Sequence, residues 1–305
     1  MPDPVSMLPI LHHPEYDADT VGTDHRFPMR KYTLVAQQLR AAGYRFQMPD
    51  HAPQSWLELA HDPDYVQAVL TSSLHRQAAR RIGFEMTPAI AARSCASVGG
   101  TVLAARIALE TGAAVNLAGG SHHADYAGGA GFCVFNDVAV AARVLLQEGQ
   151  VKRPAVLDLD VHHGDGTALI FAADEAVFTA SLHCSENWPR IKPPSDFDLG
   201  LARGTGDDDY LSGVDQTIDA VLSHSPDLVF YNAGVDPHLE DRLGLLEVSD
   251  AGLSARDDRV AAALQRAGVP MVGVLGGGYA KDASAVAQRH LFLVQAFEKA
   301  LELTI

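Results

Sequence analysis

Short apolar runs of strand length alternate along this chain with longer segments of helical period. Runs at 6–11, 113–117, 154–160, 176–183, 227–234 and 270–277 are apolar at consecutive positions, as strands covered on both faces are. Between them, segments such as 86–111, 136–148, 208–224, 250–267 and 282–302 have the length and spacing of helices. Capping residues agree with these limits. Asn136 or Asp137 precedes "VAVAARVLL" and Gly149 follows it, while Ser249 or Asp250 opens the segment that ends near Gly268. The alternation predicts an α/β fold of three layers, a central and mostly parallel sheet flanked by helices. Two stretches carry neither period: "HHPEYDADTVGTDHRFPMRKY" near the N-terminus, and 184–209. Loops of that length in compact domains are usually functional.

Composition narrows the class. No repeat, low-complexity tract or linker divides the 305 residues, and a hydrophobic content of 47% suffices for one large core, so residues 1–305 are expected to form a single domain. The formal net charge of −15, from 23 Lys and Arg against 38 Asp and Glu, argues against a nucleic-acid partner and suits a neutral or cationic ligand better. Three cysteines, Cys95, Cys133 and Cys184, show no CxxC spacing, so neither a disulfide framework nor a thiolate zinc site is indicated. Cys133 and Cys184 read as core or lining thiols. The N-terminus lacks a signal-peptide pattern and no run approaches the roughly 18 apolar residues of a membrane span, so a cytoplasmic protein without membrane partners is expected.

Ionisable residues concentrate in "VLDLDVHHGDGTA", residues 156–168, at the end of an apolar run. Carboxylates this close repel one another, and burying them is costly unless a cation is present. On an extended strand Asp158, Asp160 and His162 would project to one side, and an acid and an imidazole two residues apart can grip one metal ion. Other polar motifs also follow expected strands: "LAGGSHHA", "NAGVDPHLEDRLG" and "LGGGYAKD". In open parallel sheets that edge is where ligands bind. Asp160, His162 and Asp236 make a set of two Asp and one His without cysteine, suited to a catalytic zinc that keeps a position open. His122 and His123 are candidate acid and base, Asp158 and Asp165 candidate partners that orient imidazoles, and Tyr279 a donor to an oxyanion.

Taken together, "GGSHHA", "GAGFCVFNDVAVA", "DLDVHHGDGT", "SLH", "AGVDPHLEDRLG" and "LGGGY" make the chain resemble the zinc-dependent histone deacetylase family, with its bacterial acetoin-utilisation and acetylpolyamine amidohydrolase relatives. The loop at 184–209 is more similar to the class IV and bacterial branch than to class I enzymes, whose aromatic-rich "FFPGTG" has no counterpart beyond Trp188 and Phe197. The resemblance implies an arginase-like fold and a tunnel ending at one zinc ion held by Asp160, His162 and Asp236. It also implies paired histidines His122 and His123 with Asp158 and Asp165, and a catalytic Tyr279. Phe132 would form one tunnel wall and Trp188 the other, with Gly131 and Gly277 beside the substrate. Asp158, Ser181 and Leu182, with backbone oxygens of Asp160 and His162, would hold a monovalent cation such as K+. The activity implied is a metal-dependent amidohydrolase that removes an acetyl or other acyl group from an acylated amine such as acetyl-lysine. An acetylpolyamine or other small-molecule substrate, a catalytically weak protein that binds acyl ligands, and a two-metal ureohydrolase are the alternatives.

Overall fold

The computed structural model describes residues 8–18, 21–22 and 25–302. Seven strands form one sheet: β1 (Ile10–Leu11), β2 (Ala113–Asn116), β3 (Pro154–Asp158), β4 (Phe178–Cys184), β5 (Phe197–Leu201), β6 (Leu228–Asn232) and β7 (Met271–Val274). Their order is β1-β2-β7-β6-β3-β4-β5, and every pairing is parallel. The expected "mostly parallel" sheet is thus parallel throughout its described strands. β2, β3, β6 and β7 are buried at every residue, which is why they read as continuous apolar runs rather than alternating ones.

Helices cover the sheet. α5 (Pro88–Thr111) and α6 (Asp137–Gln147) pack together, and α5 lies against β2 and β7. α8 (Asp207–Ser223), α9 (Asp250–Ala267) and α10 (Ala283–Glu302) form a second packed series that α1 (Lys31–Ala41) joins through α10. Asn136 and Ser249 are the N-caps, accepting from the amides of Ala139 and Gly252, and Gly268 closes α9 in the left-handed region at φ 66°. Five helices have no expectation from the apolar pattern: α1 and four shorter ones, α2 (Gln54–Leu57), α3 (Pro63–Leu70), α4 (Arg76–Ile82) and α7 (Asp165–Phe171).

The structure corrects several limits. Of the expected strand at 6–11, residues 6 and 7 lie outside the described residues, and pairing covers only Ile10 and Leu11. The stretch at 184–209 is not one irregular loop, because Phe197–Leu201 alternates between partly buried and exposed positions and pairs with β4 as an edge strand. β3 ends at Asp158 rather than at residue 160. Beyond it the side chain of Asp158 accepts from the amide of Asp160 (3.2 Å), and that of Asp160 from the amide of His162 (3.0 Å), a local pattern that replaces the ladder.

One feature of the topology makes a crevice. The chain leaves β2 for β3 and skips two places that β6 and β7 later fill, so loops from both directions meet over the middle of the sheet. Asn116, Val274, Asn232, Asp158 and Ser181 are register partners across five adjacent strands. The loops after β2, β7, β6 and β3 therefore leave the sheet at one level.

Candidate active site

Each of those four loops delivers one part of the expected chemistry. From the loop after β3 come Asp160 and His162, and from its sheet neighbour β6 comes Asp236. All three are buried, and one ligand atom from each lies within 4.8 Å of the others. His162 Nδ1 stands 3.0 Å from Asp160 Oδ1 and 3.0 Å from Asp236 Oδ2. Backbone amides hold the outer oxygens: Val161 donates to Asp236 (2.9 Å) and Gly277 to Asp160 (2.7 Å). Gly277 has to be glycine, since a Cβ there would run into the carboxylate oxygens of both Asp160 and Asp236.

Charge around this cluster is out of balance. Burial pushes Asp236 up, and the neighbouring Asp160 pushes it further, to about 7. Burial also opposes ionisation of Asp160, yet His122 and His162 outweigh it and hold that carboxyl well below its usual range. For His162 burial acts downward, but hydrogen bonds to the two aspartates raise it to about 10. Two buried carboxylates here draw positive charge from whatever is nearest, as a site does when its strongest positive charge is a bound cation. The oxygen and nitrogen donors, the glycine cradle and the charge deficit all fit one divalent ion.

The histidine pair follows β2. His122 Nδ1 lies 2.6 Å from Asp158, and His123 Nδ1 lies 2.6 Å from Asp165. The two rings, 4.0 Å apart, live in different fields. Burial lowers His122, but Asp158 and Asp160 reverse this and raise it to about 9. For His123, burial and then the charge on His122 act the same way, and Asp165 does not compensate, leaving it at about 3. His123 is the one that lines the open cavity, of about 380 Å³, together with His162, Gly131, Phe132, Trp188 and Tyr279.

Tyr279 follows the three glycines after β7, its ring 6.2 Å from His162 and 5.8 Å from Phe132. Burial, with Asp160 and Asp236 behind it, raises the phenol well above its ordinary value, so it stays protonated. The wall residues occupy unusual backbone. Gly131 and Phe132 both have positive φ, 51° and 68°, and for a bulky residue that is strained. Two hydrogen bonds hold the strain in place, from the amides of Gly131 and Phe132 to the carbonyls of Arg81 and Ile82 in the last turn of α4. Trp188 packs edge-on against His123 with ring centres 4.5 Å apart, and is 46% exposed. It shares the cavity with Phe132, although no ring contact joins the two. Ser181 faces Asp158 in register, and its hydroxyl meets His183 Nδ1 at 3.1 Å.

A family model described as the histone deacetylase domain matches residues 25–294. The chain belongs to the histone deacetylase family. Histone deacetylase 2 of Arabidopsis thaliana is 29% identical over 93% of this chain and 77% of its own. A probable deacetylase of Methanothermobacter thermautotrophicus is 30% identical over 90% of this chain and 86% of its own, and an uncharacterised protein of Picosynechococcus is 45% identical over 95% and 98%. Among solved structures, that of the HDA15 HD domain superposes with a TM-score of 0.77 at 23% identity, covering 95% of this chain and 90% of that one. At that identity the superposition establishes the arginase/deacetylase-like fold.

Several residues that build the site of this deacetylase-family chain carry little signal in its sequence. Lys31 is fully buried, donates to the carbonyl of Gly276 (2.7 Å) and stands 5.7 Å from the centre of the Tyr279 ring. Burial lowers it to about 8 against the pull of Asp236 and Asp160. Asp241 accepts from the amides of Tyr279 (2.6 Å), Leu243 and Gly244. Asn232 donates to Asp158 (3.0 Å). These residues hold loops in place, and only the position of Asn232 at the end of an apolar run offered a signal.

Proposed function

We propose that this protein is a metal-dependent deacylase that hydrolyses the amide of an acylated amine such as acetyl-lysine, with one zinc ion held by Asp160, His162 and Asp236. The observation that carries this reading is a buried set of two carboxylates and one imidazole at the floor of an open cavity, with a neutral histidine and a protonated tyrosine beside it. A divalent ion bound there supplies Lewis-acid polarisation of a carbonyl and a lowered pKa for water.

The remaining work falls to side chains. His123, whose Nδ1 is engaged by Asp165, keeps Nε2 for the proton of the attacking water and returns it to the departing amine. His122, paired with Asp158, carries positive charge that favours the anionic tetrahedral state. Tyr279 donates its hydroxyl to the oxyanion. A second cavity of about 20 Å³, lined in part by His122, Asp160, Gly277 and Tyr279, has room for one water-sized group such as the methyl of an acetyl. Support for one metal over two comes from the ligand cluster itself, which among the described residues gathers only Asp160, His162 and Asp236. Asp158, Ser181 and Leu182 remain our candidates for a structural K+ site.

A panel of lysine peptides acylated with acetyl, butyryl and longer chains, assayed with zinc-loaded protein, tests the reading. Acetyl-lysine should be turned over fastest. No turnover of any member, alongside tight binding of the same peptides, would favour an acyl-ligand binding protein.

A further inference from the structure

The net charge of −15 suits a neutral or cationic ligand, but the mouth of the cavity has the opposite sign. Its lining includes Arg26, Arg80 and Arg81, and among the described residues no aspartate or glutamate. The arginines come from separate parts of the chain. Arg26 belongs to the N-terminal loop, while Arg80 and Arg81 end α4. All three are exposed. Arg81 pairs with Asp125 at 2.9 Å, but Arg26 and Arg80 have no carboxylate partner among the described residues.

Their backbone is anchored to the cavity wall. The carbonyls of Arg81 and Ile82 accept from Gly131 and Phe132, so the last turn of α4 is tied to the tunnel wall itself. On the other side the carbonyl of Arg26 accepts from Arg242 (3.2 Å), whose Nε also donates to the carbonyl of Tyr279 (2.7 Å). The backbone around each arginine is thus tied, directly or through Arg242, to residues that line the cavity. A substrate with its acyl group at the floor has to extend the rest of its amine out past this rim. Guanidinium groups attract carboxylates there and repel ammonium and other guanidinium groups.

We propose that the rim selects acylated amines bearing an anionic group on the amine side of the amide, and discriminates against polycationic ones such as acetylated polyamines and Arg-rich or Lys-rich peptides. This rests on the deacylase reading above. The anion has two sources with the same chemistry, the free α-carboxylate of Nε-acetyl-lysine or acidic residues flanking acetyl-lysine in a peptide.

The test uses peptides with one acetyl-lysine flanked by Asp, by Ser or by Arg, together with free Nε-acetyl-lysine and an acetylated polyamine. Zinc-loaded protein is assayed for kcat/KM, and the peptides are also titrated by calorimetry for Kd. The Asp-flanked peptide should exceed the Arg-flanked one by about tenfold in kcat/KM, with a gap that narrows as salt is added. In the Arg26→Ala/Arg80→Ala double variant the ratio of the Asp-flanked to the Ser-flanked peptide should fall toward one. Free acetyl-lysine ahead of the Asp-flanked peptide assigns the anion to the α-carboxylate, and the reverse order assigns it to flanking acids. Affinities that are equal, or that favour Arg, overturn the proposal. So does an Asp preference that the double variant retains with an unchanged Tm. An Asp preference in Kd without any turnover supports the rim and counts against the deacylase reading.

Discussion

Asp160 and His162 announce themselves in the sequence because nothing in strand packing calls for alternating acids and imidazoles after an apolar run, whereas Asp236, which alone reads equally as an N-cap or an Asx turn, is joined to them by the fold. Tyr279 is announced by the glycines that bring it close. If its hydroxyl stabilises the oxyanion, Tyr279→Phe should bind metal like the wild type and lose about 10²-fold in kcat. Unchanged turnover on the best substrate would remove the phenol from the chemistry. His61 was not legible, since a lone histidine before an Asp-Pro turn has many bland uses. It is fully buried, its Nε2 accepts from the amide of Asn136 (2.9 Å) and its Nδ1 donates to the carbonyl of Asp125 (2.8 Å), and the contact at Nε2 needs the neutral ring. Burial lowers it from 6.5 to about 4. The unfolded chain therefore binds the proton first, and the contribution of His61 to stability is complete above pH 6.5 and is lost as pH falls toward 4, up to about 3 kcal/mol. Thermal melting across that range should show the loss, and His61→Gln should make the Tm less dependent on pH there. An equal dependence in the variant would assign the acid lability to other groups, such as His12 and His183, which burial also lowers to about 4.

At the scale of elements, the inner strands and the helices α5, α6, α8, α9 and α10 were legible to within a few residues, because burial on both faces writes a continuous apolar run and caps mark helix ends, whereas α1 to α4 and α7 were not. β5 was hidden. Its alternation in "FDLGL" is the signature of an edge strand, but the prolines and glycines around it read as loop. Its pairing with β4 anchors one end of the segment that carries Trp188. The other end of that segment rests on Asn187, which donates to the carbonyl of Leu243 (2.9 Å). Trp188 itself is half-exposed and lies against His123 and Gly131 rather than in the main core. Trp188→Ala should accordingly raise KM for substrates with an extended alkyl chain while moving Tm by little. A large fall in Tm with an unchanged KM would make the tryptophan a structural anchor.

For the molecule as a whole, the sequence reading reached the fold and the floor of the site, where chemistry is compact and local in the chain. It reached part of the rim, because the two long stretches without a period, which carry Arg26 and Trp188, were expected to be functional, but not Arg80 and Arg81, which come from a short helix that neither period nor motif marks, nor the local field, which a net charge summed over the chain conceals. Nor did it reach the supports, Lys31, Asp241 and Asn232, whose partners lie far away in sequence. The fold brings these groups to one level over the sheet, and on the proposed function they make a one-metal hydrolytic centre. Acetate release from the Ser-flanked acetyl-lysine peptide, measured while chelator-stripped protein is titrated with zinc, tests this most directly. Activity should be absent at the start, rise linearly and break at one zinc per chain, with no recovery in Asp160→Ala. Release by the stripped protein, or a break near two, would contradict it.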